Sequence, residues 1–216
     1  MDQRVQAVLN EYAARHQAEL VEMRRLKPEE MGRIRDEFLI PLGPVVGNFV
    51  YELAKAQQAK VILELGMSFG YTSVYLGAAA RETGGKVITT ELDPKKIAYA
   101  KAMYEKAGLA DIIEIRAGDA RKTIDAAKER FDLVIVDLWK DLYVDCLDRF
   151  YPKLAPGAYI VGDNMIFPQD ARKDAMAYRK AIRAKPHIDT VLLPIGNGIE
   201  LSRYTAGLDA DGIAAR

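Results

Sequence analysis

From Lys60 onward, short apolar runs alternate with segments whose apolar positions recur every three or four residues. The runs at 61–65, 86–92, 112–116, 131–136, 159–161 and 190–193 are compact and rich in branched side chains, which predicts six strands. Helical patterns opened by turn residues lie between the first five, as at Asp93-Pro94 before residues 95–107. Repeated strand–helix–strand spacing of this kind predicts an α/β fold, a mainly parallel sheet with helices on both faces. A seventh run at 198–204 follows the sixth after residues 194–197 only. So short a connection cannot make a parallel crossover, so the last strand is expected to pair antiparallel.

Ahead of this region, residues 1–40 read as peripheral helices. Val5, Val8, Leu9 and Tyr12 fall at helical spacing. Lys27-Pro28-Glu29-Glu30 opens a second helix whose apolar stripe is Met31, Ile34 and Phe38. These helices read either as plain cover or as a part of substrate entry or a dimer contact. Residues 41–47 break the pattern and read as a loop leading into another helix that ends near Gln57. The tail 209–216 is small and polar and is expected to fray. One domain over 1–216 is expected, with 1–40 as a helical cover and 60–205 as the core.

Composition narrows the class. Half of the 216 residues are apolar and 29% are charged, the balance of a soluble globular protein. Acidic and basic residues cancel at 31 each, which is not the footprint of a nucleic-acid binder. Asp2, Arg4 and Glu11 stand where a signal peptide needs an apolar run, and no stretch of about 18 apolar residues exists, so no membrane partner is expected and the location is read as cytoplasmic. A homodimer is the expected assembly. Cys146 is the only cysteine and reads as a small packing residue in a helix. His16 and His187 stand outside every motif and receive no role.

The chemistry concentrates at the ends of two runs. Asp137-Leu-Trp139-Lys140 follows the fourth run, and Asp163-Asn164 follows the fifth. Two carboxylates and a carboxamide offer only oxygen, which suits magnesium, manganese or calcium better than zinc. Taken singly, Asp137 reads as a helix cap and Asp163-Asn164 as a turn. Together they form a candidate metal set, with Lys140 beside it as a base and Trp139 as either a core residue or an aromatic wall for a substrate ring.

A glycine-containing turn joins the first run to its helix: Glu64-Leu-Gly66-Met67-Ser68-Phe-Gly70-Tyr71-Thr72. Glycines permit a tight turn and close backbone approach to a ligand. Ser68 stands where a dinucleotide fingerprint needs glycine, which counts against a pyrophosphate cradle and a nicotinamide oxidoreductase. Glu91, ending the second run, suits acceptance of both ribose hydroxyls, or is a plain exposed acid. Gly118-Asp119-Ala120 either lines an adenine slot or caps a helix through Asp119.

In that order these motifs resemble the class I S-adenosylmethionine-dependent methyltransferases, and among them the metal-dependent small-molecule O-methyltransferases. Residues 137–143, DLWKDLY, are most similar to the catechol branch; the caffeoyl-coenzyme A branch usually carries Asp at the position of Trp139. The resemblance covers residues 41–204 and implies a Rossmann-like, doubly wound seven-stranded sheet. It implies that Glu64, Gly66, Met67, Ser68, Tyr71 and Thr72 surround the methionine part of the cofactor, with Asp137 beside them. Glu91 would hold the ribose, Asp119 and Ala120 would flank the adenine, and Leu42 would close over the whole. Leu138 replaces a histidine that contacts adenine in the catechol enzymes, and Asp189 is offset from their catechol-binding carboxylate. The implied reaction is magnesium-assisted methyl transfer to a hydroxyl of a small phenolic acceptor, with Lys140 as base. Methylation of a modified tRNA base and a non-catalytic S-adenosylmethionine-binding role are the competing readings.

Overall fold

The computed structural model describes residues 1–208, so the tail expected to fray lies outside the described residues. Three helices come first: α1 (Gln3–Met23), α2 (Pro28–Ile34) and α3 (Gly43–Ala56). Strands and helices then alternate through β1 (Val61–Leu65), α4 (Tyr71–Thr83), β2 (Lys86–Glu91), α5 (Pro94–Ala107), β3 (Ile113–Ala117), α6 (Ala120–Ala126) and β4 (Phe131–Val136). The chain continues through α7 (Tyr143–Phe150), β5 (Leu154–Gly162), α8 (Arg172–Arg183), β6 (Ile188–Leu193) and β7 (Ile199–Tyr204).

The seven strands form one sheet in the order β3-β2-β1-β4-β5-β7-β6. The first five pair parallel. As expected, β7 is antiparallel, and it inserts between β5 and β6, pairing antiparallel with both. Chain order reverses between β1 and β4, so the carboxyl ends of these two central strands open onto a crevice. Along β4, Leu133 and Ile135 face a core shared with α1, α3, α4 and α5, whereas Val134 and Val136 face a second core under α6, α7 and α8. This period-two alternation, with both faces apolar, is what a strand covered by helices on both sides requires.

Local signals explain most boundaries. Asp93 caps α5 by accepting from the Lys95 amide, Pro94 begins the helix and left-handed Gly108 ends it. Cys146 is buried in α7 as a packing residue, and burial pushes its thiol up to about 12, so it stays protonated. No helix among the described residues is long and apolar enough to cross a membrane.

Several boundaries differ from expectation. β5 begins at Leu154, five positions before the run at 159, because Pro156 and Gly157 mask its first half; its register with β4 shifts between Phe131 and Leu133. The expected loop at 41–47 ends early, since Gly43 and Pro44 already form the first turn of α3. Phe38 does not lie on α2, which ends at Ile34 and is followed by a 3-10 turn over Arg35–Glu37. The cover is also not peripheral. Val5, Val8, Leu9 and Tyr12 are buried in the same core as α4 and α5, because their face of α1 meets apolar helix surface and not solvent.

Candidate active site

Every loop at the carboxyl edge of the parallel strands contributes to one cleft of about 710 Å³. Its floor is the turn after β1. Gly66 has φ 93°, and a Cβ there would stand 2.2 Å from the carbonyl oxygen of Asp137. Only glycine permits that approach. Three bonds weld the turn to its neighbours: the Gly66 amide donates to Thr90 Oγ1 at 3.2 Å, the Met67 amide to Thr90 O at 2.8 Å, and the Asp137 amide to Leu65 O at 2.9 Å.

Ser68 adopts a left-handed φ of 50°, which turns its amide onto Glu91 Oε2 at 2.8 Å. The other oxygen of Glu91 accepts from the Leu92 and Asp93 amides at 2.7 and 2.9 Å. Three backbone donors therefore fix this carboxylate, which also lines the cleft and keeps free lone pairs for a diol. Asp119 and Ala120 line the cleft too. Asp119 caps α6 through the Arg121 amide, and the Arg121 guanidinium holds its carboxyl down to about 2.

A smaller recess adjoins the cleft, walled by Met67, Tyr71 and Thr72 on one side and by Leu39 to Leu42 on the other, with Gly66, Ser68 and Asp137 shared. Glu64 lines neither space. It is 1% exposed and points into the core, where its Oε2 accepts from the hydroxyls of Ser73 and Thr89. Burial pushes its carboxyl up to about 7. Its expected contact with a cofactor is therefore replaced by a place beneath the turn.

Across the cleft stand Asp137 after β4 and Asp163 and Asn164 after β5, held level by the Asp163 amide donating to Val136 O at 3.1 Å. Asp163 is 1% exposed, yet neither of its carboxylate oxygens has a hydrogen-bond partner. Burial and the neighbouring Asp137 charge push its carboxyl well above the usual carboxylate range. A buried carboxylate without donors is costly unless a cation meets it. Among the described residues no three His, Cys, Asp or Glu side chains form a metal cluster; the set here is two carboxylates and a carboxamide. That all-oxygen set, with the orphaned pair of oxygens on Asp163, fits a hard divalent cation.

Lys140 lies beside this set, its side chain only 13% exposed. Its Nζ donates to Asp137 Oδ1 and Leu138 O, each at 3.3 Å, and to the Tyr143 hydroxyl at 2.6 Å. Tyr143 in turn donates to Asp163 O at 3.3 Å. Trp139 is 64% exposed at the cleft mouth, which decides its two readings against the core.

Other lining residues received no role from the sequence. Phe38, Ile40 and Pro41 extend the wall begun by Leu42, and Asp141, Asp170 and Asp174 line the mouth. Asn197 arrives because the turn between β6 and β7 is tied to the loop after β5: the Ile166 and Phe167 amides donate to Asn197 O at 2.9 and 3.0 Å. Asp189 is on β6, away from the lining.

A family model described as O-methyltransferase matches residues 12–205. A catechol O-methyltransferase of Niastella koreensis is 36% identical over 131 residues, which is 59% of this chain and 59% of that protein. Caffeoyl-CoA O-methyltransferase 1 of Eucalyptus globulus is 32% identical over 177 residues, 73% of this chain and 72% of the relative. The SAH-bound methyltransferase PaMTH1 of Podospora anserina superposes with a TM-score of 0.75 at 20% identity, covering 95% of this chain and 89% of that one, a likeness of fold.

Proposed function

The chain belongs to the O-methyltransferase family, and from that premise we propose that it transfers the methyl group of S-adenosylmethionine to one hydroxyl of a small catechol-like phenol in a divalent-metal-dependent reaction. The observation that carries the metal dependence is Asp163, buried beside Asp137 with both carboxylate oxygens unpartnered and turned to the cleft. Asp137, Asp163 and Asn164 would hold the cation, which would supply Lewis-acid stabilisation of negative charge on the acceptor oxygen.

The chain's own residues divide the remaining work. Glu91, already set by three amides, accepts the ribose hydroxyls. The recess between Leu42 and Tyr71 would border the methionyl part, and Asp119 and Ala120, which line the cleft, would border the adenine. S-adenosylmethionine, when bound, would supply the methyl group on a sulfonium and leave as the thioether, the C–S bond breaking as the C–O bond forms. An un-ionised phenol, with a pKa near about 10, is a poor nucleophile, so its proton must leave. Lys140 Nζ acts as the base that takes that proton, held in place by Tyr143 and the Leu138 carbonyl. Trp139 offers its exposed ring as a wall for the aromatic acceptor. Most of the acceleration then comes from holding acceptor and methyl in line.

The mouth supports a catechol over a coenzyme A thioester. α8 packs on the 3-10 turn Lys140–Leu142, and Asp141, Asp174 of α8 and Asp170 of the 3-10 turn Gln169–Ala171 just before it all line the cleft. Carboxylates so placed would disfavour the phosphates of a coenzyme A ester. The test is methyl transfer to a simple catechol and to a caffeoyl thioester, each with and without EDTA. Transfer to the catechol that EDTA abolishes is expected. Transfer that survives EDTA would overturn the metal assignment, and a preference for the thioester would overturn the acceptor.

A further inference from the structure

Tyr12, Arg15, His16 and Glu19 lie on one face of α1, at the spacing that stacks side chains along a helix. Together they grip both walls of the recess. On the glycine-turn side, the Tyr12 hydroxyl donates to Phe69 O at 2.6 Å, and the Arg15 guanidinium lies 3.9 Å over the Phe69 ring. On the other side, the Leu39 amide donates to Glu19 Oε2 at 2.5 Å, and His16 Nδ1 sits 2.8 Å from Leu39 O. A carbonyl only accepts, so Nδ1 carries the proton of this imidazole. Arg15 Nε binds Glu19 Oε1 at 2.6 Å and so joins the two grips into one.

Leu39 is the anchor of the strap 38–42. It is 2% exposed, whereas Phe38, Ile40, Pro41 and Leu42 all line the cleft. The strap runs between a 3-10 turn and α3 without belonging to a helix or strand. Both backbone polar groups of Leu39 are met by α1 side chains instead. A segment of this kind, left unheld, would have to be ordered when ligand binds, at a cost in affinity.

We infer that Glu19 and His16 are positioning residues for the cofactor: by holding both backbone groups of Leu39 they keep the strap closed against the glycine turn. They touch no ligand and act through the strap. The inference rests on the placement of the cofactor's methionyl part in this recess. α1 is then a clamp that presets cofactor affinity and not merely a helix that fills the core.

The test is calorimetric binding of S-adenosylhomocysteine, which needs neither metal nor acceptor, to the full chain. Failure of the wild-type protein to bind would sink the functional reading itself. Given wild-type binding, the double variant Glu19→Ala/His16→Ala is expected to bind roughly tenfold more weakly, while Glu19→Gln, which keeps an acceptor for the Leu39 amide, stays within about threefold. Arg4→Ala is the control: Arg4 holds the opposite end of α1 to the carbonyls of Glu105 and Lys106. It should lower the melting temperature yet leave affinity within about twofold. Wild-type affinity in the folded double variant, or an equal loss in Arg4→Ala, would overturn the inference. Should the double variant not fold, amide exchange on the ligand-free wild-type protein decides: the Leu39 amide should already be protected before S-adenosylhomocysteine binds, and fast exchange there that only the ligand slows refutes the clamp.

Discussion

The carbonyl oxygen of Asp137 lies where a Cβ on Gly66 would be, 2.2 Å from that position. Two chain segments that contribute to different halves of the proposed reaction thus pass in direct contact. One leaves β1 and forms the floor of the recess; the other leaves β4 and carries Asp137, Trp139 and Lys140.

Gly66→Ala should therefore damage both halves at once. The new methyl group meets a backbone oxygen that cannot rotate away, and φ 93° is strained for alanine. Thermal unfolding should show a loss of about 1–3 kcal/mol, the scale of a strained backbone residue, together with weaker S-adenosylhomocysteine binding. A variant with normal stability and affinity would mean that the two loops separate freely.

Asp163→Asn should trade function for stability. It removes a buried carboxylate that has no hydrogen-bond partner, while preserving shape. In EDTA the variant should resist urea better than the wild type by about 1–3 kcal/mol, because a neutral carboxamide costs less to bury than an unpaired charge. Metal-stimulated methyl transfer should be lost. If the variant is less stable in EDTA, the orphaned carboxylate is satisfied in a way that the fold does not account for.

Lys140→Met keeps much of the stem and removes the base. Turnover should fall by about 10²–10⁴, the usual contribution of a positioned general base, while S-adenosylhomocysteine affinity persists. The loss should shrink for catechols of lower phenolic pKa, which arrive already ionised. A variant with near-normal turnover on a weakly acidic catechol would remove Lys140 from the chemistry.

Glu64 predicts a pH dependence of stability. Its carboxyl is raised from an ordinary 4.5 to about 7, so between these values the folded protein holds a proton that the unfolded chain has released. The contribution is fully present below about pH 4.5 and is lost as pH rises through about 7, amounting to about 3 kcal/mol at most. Glu64→Gln mimics the protonated form, so the difference between wild type and variant should widen from pH 5 to 7.5 in urea titrations. A constant difference across that range would show that Glu64 is ionised in both states.

The apolar runs of β1 and β4 determined those strands to the residue, since a buried parallel strand needs continuous branched side chains and nothing else competes. The acids and the carboxamide at 137, 163 and 164 were legible as one set for a related reason. Parallel strands bring all their carboxyl ends to one edge, so residues just past two such strands meet in space. β5 was legible only in its second half, because Pro156 and Gly157 are turn signals by composition and strand residues by pairing.

Parity already held a clue to Glu64. It shares a face of β1 with Ile62, toward α4, and so meets Ser73 and Thr89 and not the cleft. What the sequence by itself determined is the order of elements, the faces they bury and the strand ends at which chemistry collects, because these follow from periodicity within a few residues. What only the tertiary structure decided is which distant groups share space: Asp137 against Gly66, three amides on Glu91, and His16 and Glu19 on Leu39. A side chain's pattern tells which way it faces, but its partner is fixed by packing between segments far apart in the chain.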